Sequence, residues 1–201
     1  MRRFRFLAAG VVVVALLAGC SDSPEETDYA GTVLTDPYTA PPASLTDTDG
    51  QPFSLAADTD QRLTLVFFGY TNCPDICQAV MSSLASAMTR LDESLRDQVD
   101  VVFVTTDPAR DDEQALREYL DRFDPTFVGL TGDLPTIVDA GLALGVAVEK
   151  GEKLPSGGYE VTHGTQVIGI DGSDHAPIIW THGTSAAEFA NDITLLLTGD
   201  A

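Results

Sequence analysis

Leu63-Thr64-Leu65-Val66-Phe67-Phe68-Gly69-Tyr70 runs directly into Thr71-Asn72-Cys73-Pro74-Asp75-Ile76-Cys77. The first eight residues are nearly all apolar and offer no polar face, the pattern of a strand buried on both sides of a sheet. A helix should follow. Ile76, Val80, Leu84, Met88, Leu91 and Leu95 recur every three or four residues and mark one helical face. Pro74 and Asp75 suit its first turn. In α/β proteins such a strand-to-helix junction is where ligands sit, outside the carboxyl ends of the strands.

Working outward toward the C-terminus, Val99 to Thr105 reads as a second buried strand. Thr106-Asp107-Pro108 ends it, because proline cannot continue a ladder and restricts the residue before it. Asp111-Asp112-Glu113-Gln114 opens another helix, with Asp111 as cap, Gln114 in the capping-box position, and Leu116, Tyr119, Leu120 and Phe123 facing inward. A third helix covers Leu134 to Leu144 and stops at Gly145. Thr165 to Asp171 and Ala176 to Trp180 flank Gly172-Ser173-Asp174-His175, a hairpin signal. Ser185 with Glu188 forms a capping box ahead of Phe189, Ile193, Leu196 and Leu197, the inner face of a terminal helix. Toward the N-terminus, Ser44 to Asp47 and Gln51 to Leu55 flank Thr48-Asp49-Gly50 as an N-terminal β-hairpin. The pattern argues for α/β with a mixed central sheet flanked by helices. A parallel βαβ unit followed by an antiparallel hairpin and a closing helix is the thioredoxin-like plan.

The 201 residues suit one domain. The first nineteen read as a leader: Arg2, Arg3 and Arg5 precede an apolar run from Phe6 to Leu17, too short to span a bilayer as a stable helix. Leu17-Ala18-Gly19-Cys20 resembles the lipobox of prokaryotic lipoproteins, where cleavage leaves the cysteine at the new N-terminus with lipid on its sulfur. Residues 1–19 are thus expected to be a lipoprotein signal peptide, and Cys20 a lipid anchor to the outer, extracytoplasmic face of the cytoplasmic membrane. Residues 20–43, rich in Ser, Asp, Glu, Thr and Pro without periodicity, read as a disordered tether, and residues 44–201 as the folded domain. The formal net charge is −20, and the leader holds three of the 11 basic residues and none of the 31 acidic ones. Beyond the leader the surface is therefore more acidic still. It repels phosphate backbones, which excludes nucleic acid as a partner, and it keeps the chain hydrated.

With Cys20 committed to lipid, Cys73 and Cys77 are the remaining cysteines. An exported chain can hold a disulfide, but a loop this short constrains little of the unfolded chain. A chemical role is the better reading. Helix positions four apart share a face, so the two sulfurs converge if the helix begins near Pro74. The unpaired amides of a helix start favour thiolate over thiol. Two such thiolates either interconvert with a disulfide or hold a soft metal. Thiolates suit Cu(I) and Zn, and an added imidazole suits Cu(II). The ordinary redox spacing has two intervening residues. Here there are three, which moves weight toward metal without excluding the redox pair. A third ligand must come from His163, His175 or His182. His163 precedes a core strand in a loop able to lie over the cysteine end of the sheet, His175 sits at a hairpin tip, and His182 precedes the last helix as a capping or packing residue.

Gly69-Tyr70-Thr71-Asn72-Cys73-Pro74-Asp75-Ile76-Cys77 closely resembles the signature of the SCO/SenC family of copper proteins. Thr106-Asp107-Pro108-Ala109-Arg110-Asp111 resembles that family's second motif, and Tyr159-Glu160-Val161-Thr162-His163 its third. The blocks stand in family order, and the resemblance covers residues 41 to 198. It implies a thioredoxin-like fold with Cys73, Cys77 and His163 as ligands of one copper ion, Cu(I) or Cu(II). It also implies a membrane-anchored chaperone whose partner is the copper-receiving subunit of a respiratory haem–copper (cytochrome c) oxidase. Asn72, Gln78 and Gly164 depart from the usual pattern, but none is a ligand in the family. The alternative is a metal-independent thiol–disulfide oxidoreductase, in which Cys73 and Cys77 are a catalytic dithiol acting on an oxidase subunit or another extracytoplasmic protein. A peroxidase of related fold is disfavoured, because no Thr-x-x-Cys motif stands at this junction.

Overall fold

An apolar run with no polar face must be covered from both sides, and Leu63–Gly69 is buried at every position. The structure, a computed structural model, describes residues 29–59, 61–153 and 159–199, with the backbone alone over 149–153 and 159–163. The leader, Cys20 and the first part of the expected tether lie outside the described residues. In chain order the elements are β1 (Thr32–Thr39), β2 (Ser44–Asp47), β3 (Pro52–Ser54), β4 (Leu63–Gly69), α1 (Ile76–Met88), α2 (Glu93–Arg96), β5 (Val99–Thr105), α3 (Glu113–Leu120), β6 (Val128–Thr131), α4 (Leu134–Ala143), β7 (Val148–Lys153), β8 (Tyr159–His163), β9 (Val167–Asp171), β10 (His175–Trp180) and α5 (Ala186–Thr198).

Eight of the strands form one sheet in the order β1-β10-β9-β4-β5-β6-β2-β3. β4, β5 and β6 run parallel, and β9 pairs antiparallel with β4. The side chains of β4 alternate between two cores. Leu65 and Phe67 pack with Val80, Met81 and Leu84 of α1, Tyr119 of α3, and Phe189 and Ile193 of α5. Val66 and Phe68 pack with Ile137 and Ala140 of α4 and with Val148. This is the expected mixed sheet with helices on both faces, and its βαβ core, antiparallel hairpin and closing helix make the thioredoxin-like fold. Among the described residues no helix is long and apolar enough to cross a membrane.

Several local expectations are met. Gly50 and Gly145 take positive φ values of 74° and 72°, as the hairpin turn and the end of α4 require. Both halves of the Ser185–Glu188 capping box form at the start of α5.

Four points differ. The long amphipathic face is divided: α1 ends at Met88, and after a turn Leu91 and Leu95 still reach the same core, so the periodicity outlives the helix. α3 is capped by Asp112, whose side chain accepts from the Ala115 amide, leaving Asp111 for another task. β6, β7 and β8 were not expected; β6 has only four residues, and β7 reads Val-Glu-Lys-Gly-Glu-Lys, without apolar alternation. Finally, the tether expected to reach residue 43 is too long. Thr32–Thr39 is the edge strand β1, paired with β10, and the backbone amides of Ala30 and Gly31 donate to the buried carboxylate of Asp192 at 3.1 and 2.9 Å. An edge strand exposed along most of its length, with Pro37 inside it, carries no apolar period to read.

Candidate metal centre

β4 and β5 end side by side, with Gly69 paired to Thr105, and the chain leaving β4 turns through residues 70–75 into α1. Glycine is required at 69. A Cβ there would lie 2.9 Å from the rings of both Phe67 and Phe103 and 3.1 Å from the Cys77 sulfur. The missing side chain leaves the room in which Cys77 packs against the strand end. α1 begins at Ile76, later than Pro74, so Cys73 lies in the loop and Cys77 in the first turn. Asp75 takes the N-cap position without a side-chain capping bond. The Cys73 sulfur does that work instead, accepting from the Cys77 amide at 3.4 Å. The Cys73 amide in turn donates to the Tyr70 carbonyl at 3.1 Å. Both thiols are free. Cys73 keeps 8% of its surface exposed and Cys77 none, so only Cys73 meets solvent directly. Burial pushes the Cys77 thiol well above its ordinary value, and its hydrogen bond with Cys73 pushes the same way.

The second motif holds this loop. The Asp111 carboxylate is fully buried and accepts from the Thr71 amide at 2.9 Å, the Thr71 hydroxyl at 2.6 Å and the Thr105 hydroxyl at 2.7 Å. The Asp111 carbonyl accepts from the Thr131 hydroxyl at 3.0 Å. Thr106 closes the other side, donating its amide to the Gly69 carbonyl at 2.6 Å. Asp111 therefore ties the residue two before Cys73 to the ends of β5 and β6. Sequence reasoning gave it the helix cap. The available signal was the doublet Asp111-Asp112, since a helix needs only one of them as its cap. Asp107 does stay within its own turn, paired with the Arg110 guanidinium and donating its amide to the Thr105 hydroxyl at 3.0 Å.

Strand direction sorts the histidines. Val167 pairs with Phe67 and Asp171 with Leu63, so residues just before β9 lie at the cysteine end of β4 and the β9–β10 turn lies at the opposite end. His175 belongs to that far turn, exposed, with its Nδ1 3.3 Å from the Ser173 hydroxyl. It cannot reach the cysteines without unfolding the sheet. The backbone of His163, at the end of β8, is at the cysteine end. It is in strand rather than loop, paired with Val148, with Gly164 donating to the Ala147 carbonyl at 3.1 Å. His182 follows β10 at the same end and is exposed, its Nδ1 3.2 Å from the Thr165 hydroxyl. Among the described residues no three His, Cys, Asp or Glu side chains gather into a metal cluster. The His163 side chain lies outside that description. Two convergent sulfurs at a junction built around Gly69, with a histidine delivered by topology to the same end, match the donors a soft metal takes.

Residues 34–198 match the family described as SCO1/SenC. Over 82 residues the chain is 40% identical to protein sco1 of Schizosaccharomyces pombe, a stretch covering 41% of this chain and 31% of that protein. The chain thus spans well under half the length of that relative. The fold is similar to apo Sco1 from Thermus thermophilus, with TM-score 0.76 and 26% identity over 84% of this chain and 96% of that one. It is also similar to Bradyrhizobium japonicum ScoI solved with copper bound, with TM-score 0.70 and 27% identity over 78% of this chain and 98% of that one. Its homologues are therefore copper-binding Sco proteins. Three ordered motifs, a two-cysteine junction tied down by the second of them, and a match running through nearly the whole folded part lead to one conclusion: the chain belongs to the SCO1/SenC family.

Proposed function

We propose that this protein is a lipid-anchored copper chaperone, binding one copper ion through Cys73, Cys77 and His163 for the copper centre of a respiratory haem–copper oxidase. The observation that carries the reading is the pair of free, converging thiols at the strand-to-helix junction, at the sheet end to which β9 also brings the backbone of His163. Sco proteins are a family of cytochrome c oxidase assembly proteins, which supports the copper-receiving oxidase subunit as partner. Cys20 provides the anchor on the outer face of the cytoplasmic membrane. Copper is cargo, so the site must also release it.

A second reading has its own support. Cys73 is slightly exposed and Cys77 fully buried, the division between an attacking and a resolving thiol. The Cys73 thiolate would attack a partner disulfide and displace one partner thiol. Cys77 would then attack the mixed disulfide, leaving a Cys73–Cys77 disulfide and two reduced partner thiols, a balanced two-electron exchange.

The two readings part in one experiment on the full chain. Copper binding of wild type, Cys73→Ser and His163→Ala is measured beside reduction of a disulfide peptide in chelator. The chaperone reading expects one tight copper in the wild type, none in Cys73→Ser, and weakened Cu(II) but little-changed Cu(I) in His163→Ala, because Cu(I) is content with two thiolates. Copper affinity no greater than that of an unrelated two-cysteine protein, with brisk peptide reduction in chelator, would reject the chaperone in favour of the reductase.

A further inference from the structure

The chain enters the fold at a fixed point. The backbone amides of Ala30 and Gly31 donate to the Asp192 carboxylate at 3.1 and 2.9 Å, and the Trp180 indole donates to the same carboxylate at 2.7 Å. Asp192 is fully buried on α5. Gly31 lies so close to Trp180 that a Cβ there would stand 2.6 Å from the indole nitrogen. Tyr29 packs against the core that holds Trp180 and Phe189. Hydrogen bonds to a buried carboxylate are among the strong ones, so the tether is fastened to the domain here.

Strand direction puts that point at one end of the sheet. Val167 pairs with Phe67 of β4 and with Trp180 of β10, so β10 closes at the end where Cys73 and Cys77 sit. β1 runs antiparallel to β10, with Thr32 opposite Ile179 and Thr39 opposite His175. β1 therefore begins at the cysteine end, and the β9–β10 turn stands about 20 Å away at the other. Sideways, β10 and β9 lie between β1 and β4, an offset of about 14 Å. Ala30 is the tenth residue after Cys20, and ten residues span at most about 36 Å. The loops met between the entry and Cys73, residues 181–184, 164–166 and 70–74, hold no acidic residue. The acids of this end sit at helix starts, as Asp75, Asp112, Asp133 and Glu188 do.

We propose that the cysteine end is the membrane-facing surface of the anchored protein, set by the fastening of Ala30 and Gly31 to Asp192. The inference rests on the lipid anchor at Cys20 put forward above. Anchored there, the chain cannot carry Cys73 further than about 50 Å from the lipid surface. A tether entering at the β9–β10 turn would instead hang the domain with its cysteines outermost. The strip without acids between the entry and Cys73 can approach anionic head groups without the repulsion that the rest of this acidic surface meets. The partner that fits is an integral membrane protein whose metal-accepting or thiol groups stand in that layer, rather than a carrier diffusing free of the membrane.

The test uses the full-length lipoprotein on vesicles of phosphatidylcholine and phosphatidylglycerol, with a fluorescent acceptor on some head groups. Gly183→Cys and Gly172→Cys mark the two ends, each with Cys73→Ser and Cys77→Ser so that one thiol takes the donor dye. Both glycines are exposed, and a Cβ meets nothing within 4 Å at 183 and nothing nearer than 3.8 Å at 172. Energy transfer from the Gly183→Cys label should exceed that from the Gly172→Cys label. A flexible Gly/Ser insert between Asp28 and Tyr29 should lower the first and narrow the gap. Equal transfer from both labels, or more from Gly172→Cys, would overturn the inference while the anchor stands. Amide exchange of the unlabelled wild type needs no substitution and is the second measurement. Relative to detergent, vesicles should slow it over residues 164–166 and 181–184 and leave 172–174 unchanged; no preference for the cysteine end would also overturn the inference. A chain that does not float with the vesicles defeats the anchor reading itself, and this inference with it.

Discussion

Asp111 and Asp112 are neighbours with the same side chain and different duties. Asp112 caps α3 from an exposed position, and Asn caps about as well as Asp. The buried Asp111 carboxylate accepts three hydrogen bonds, and an amide in its place loses the charge that strengthens them and forces the Thr71 hydroxyl to reverse its role from donor to acceptor. Asp111→Asn should therefore cost about 1–3 kcal/mol, while Asp112→Asn stays near neutral. Urea unfolding of the two reduced variants checks this, and equal midpoints would contradict the assigned anchor. Gly69→Ala should also destabilise by about 1–3 kcal/mol, through overpacking against Phe67, Phe103 and Cys77. Cys73 and Cys77 were legible at this scale because their spacing and position carry chemistry in themselves. Asp111 was misassigned because either aspartate satisfies the local capping rule and only a contact forty positions away separates them. Tyr119 was read correctly as an inward-facing ring. Among the described residues its hydroxyl has no hydrogen-bond partner, a property of its surroundings that no periodicity reports.

At the scale of elements, legibility followed burial. β4, β5 and the inner face of α1 were plain because each buries a continuous or periodic apolar set. β1 was hidden because it is held from outside itself. Asp192 on α5 accepts from the Trp180 indole at 2.7 Å as well as from Ala30 and Gly31. Asp192→Ala would strand all of these donors, and should cost about 3 kcal/mol with faster amide exchange along β1 than along β4. Equal protection of both strands would show that β1 is held by pairing alone. The α5 cap adds a pH dependence. Bonds from the Ser185 hydroxyl and amide hold the Glu188 carboxyl below its ordinary value of 4.5. A lowered folded-state value means a contribution that is fully present above 4.5 and lost as pH falls through the folded value. Any stability gap between wild type and Glu188→Gln should thus close in acid, and a gap constant down to about pH 3 would contradict the charge-dependent cap.

For the whole molecule, the class and layering were legible because one sequence segment fixes both the central strand and the reactive junction. The second sheet was not. β7 and β8 form a small hairpin apart from the main sheet, and His163 was taken for a loop residue although it ends a strand. The topological consequence still holds, since β9 runs antiparallel to β4 and returns that segment to the cysteine end. Mass spectrometry of the native N-terminus should find a mature chain beginning at lipid-modified Cys20, and a chain beginning elsewhere would remove the anchor from the account.

The central claim is that one copper ion is shared by two sulfurs near the start of α1 and a nitrogen from the end of β8. X-ray absorption at the copper edge of the Cu(II)-loaded full chain, in wild type and His163→Ala, tests it most directly. The wild type should give two sulfur neighbours and an imidazole nitrogen; His163→Ala should keep the sulfurs and lose that imidazole, while His182→Ala matches the wild type. Imidazole scattering that persists in His163→Ala, or a wild-type copper without paired sulfur neighbours, would contradict the site.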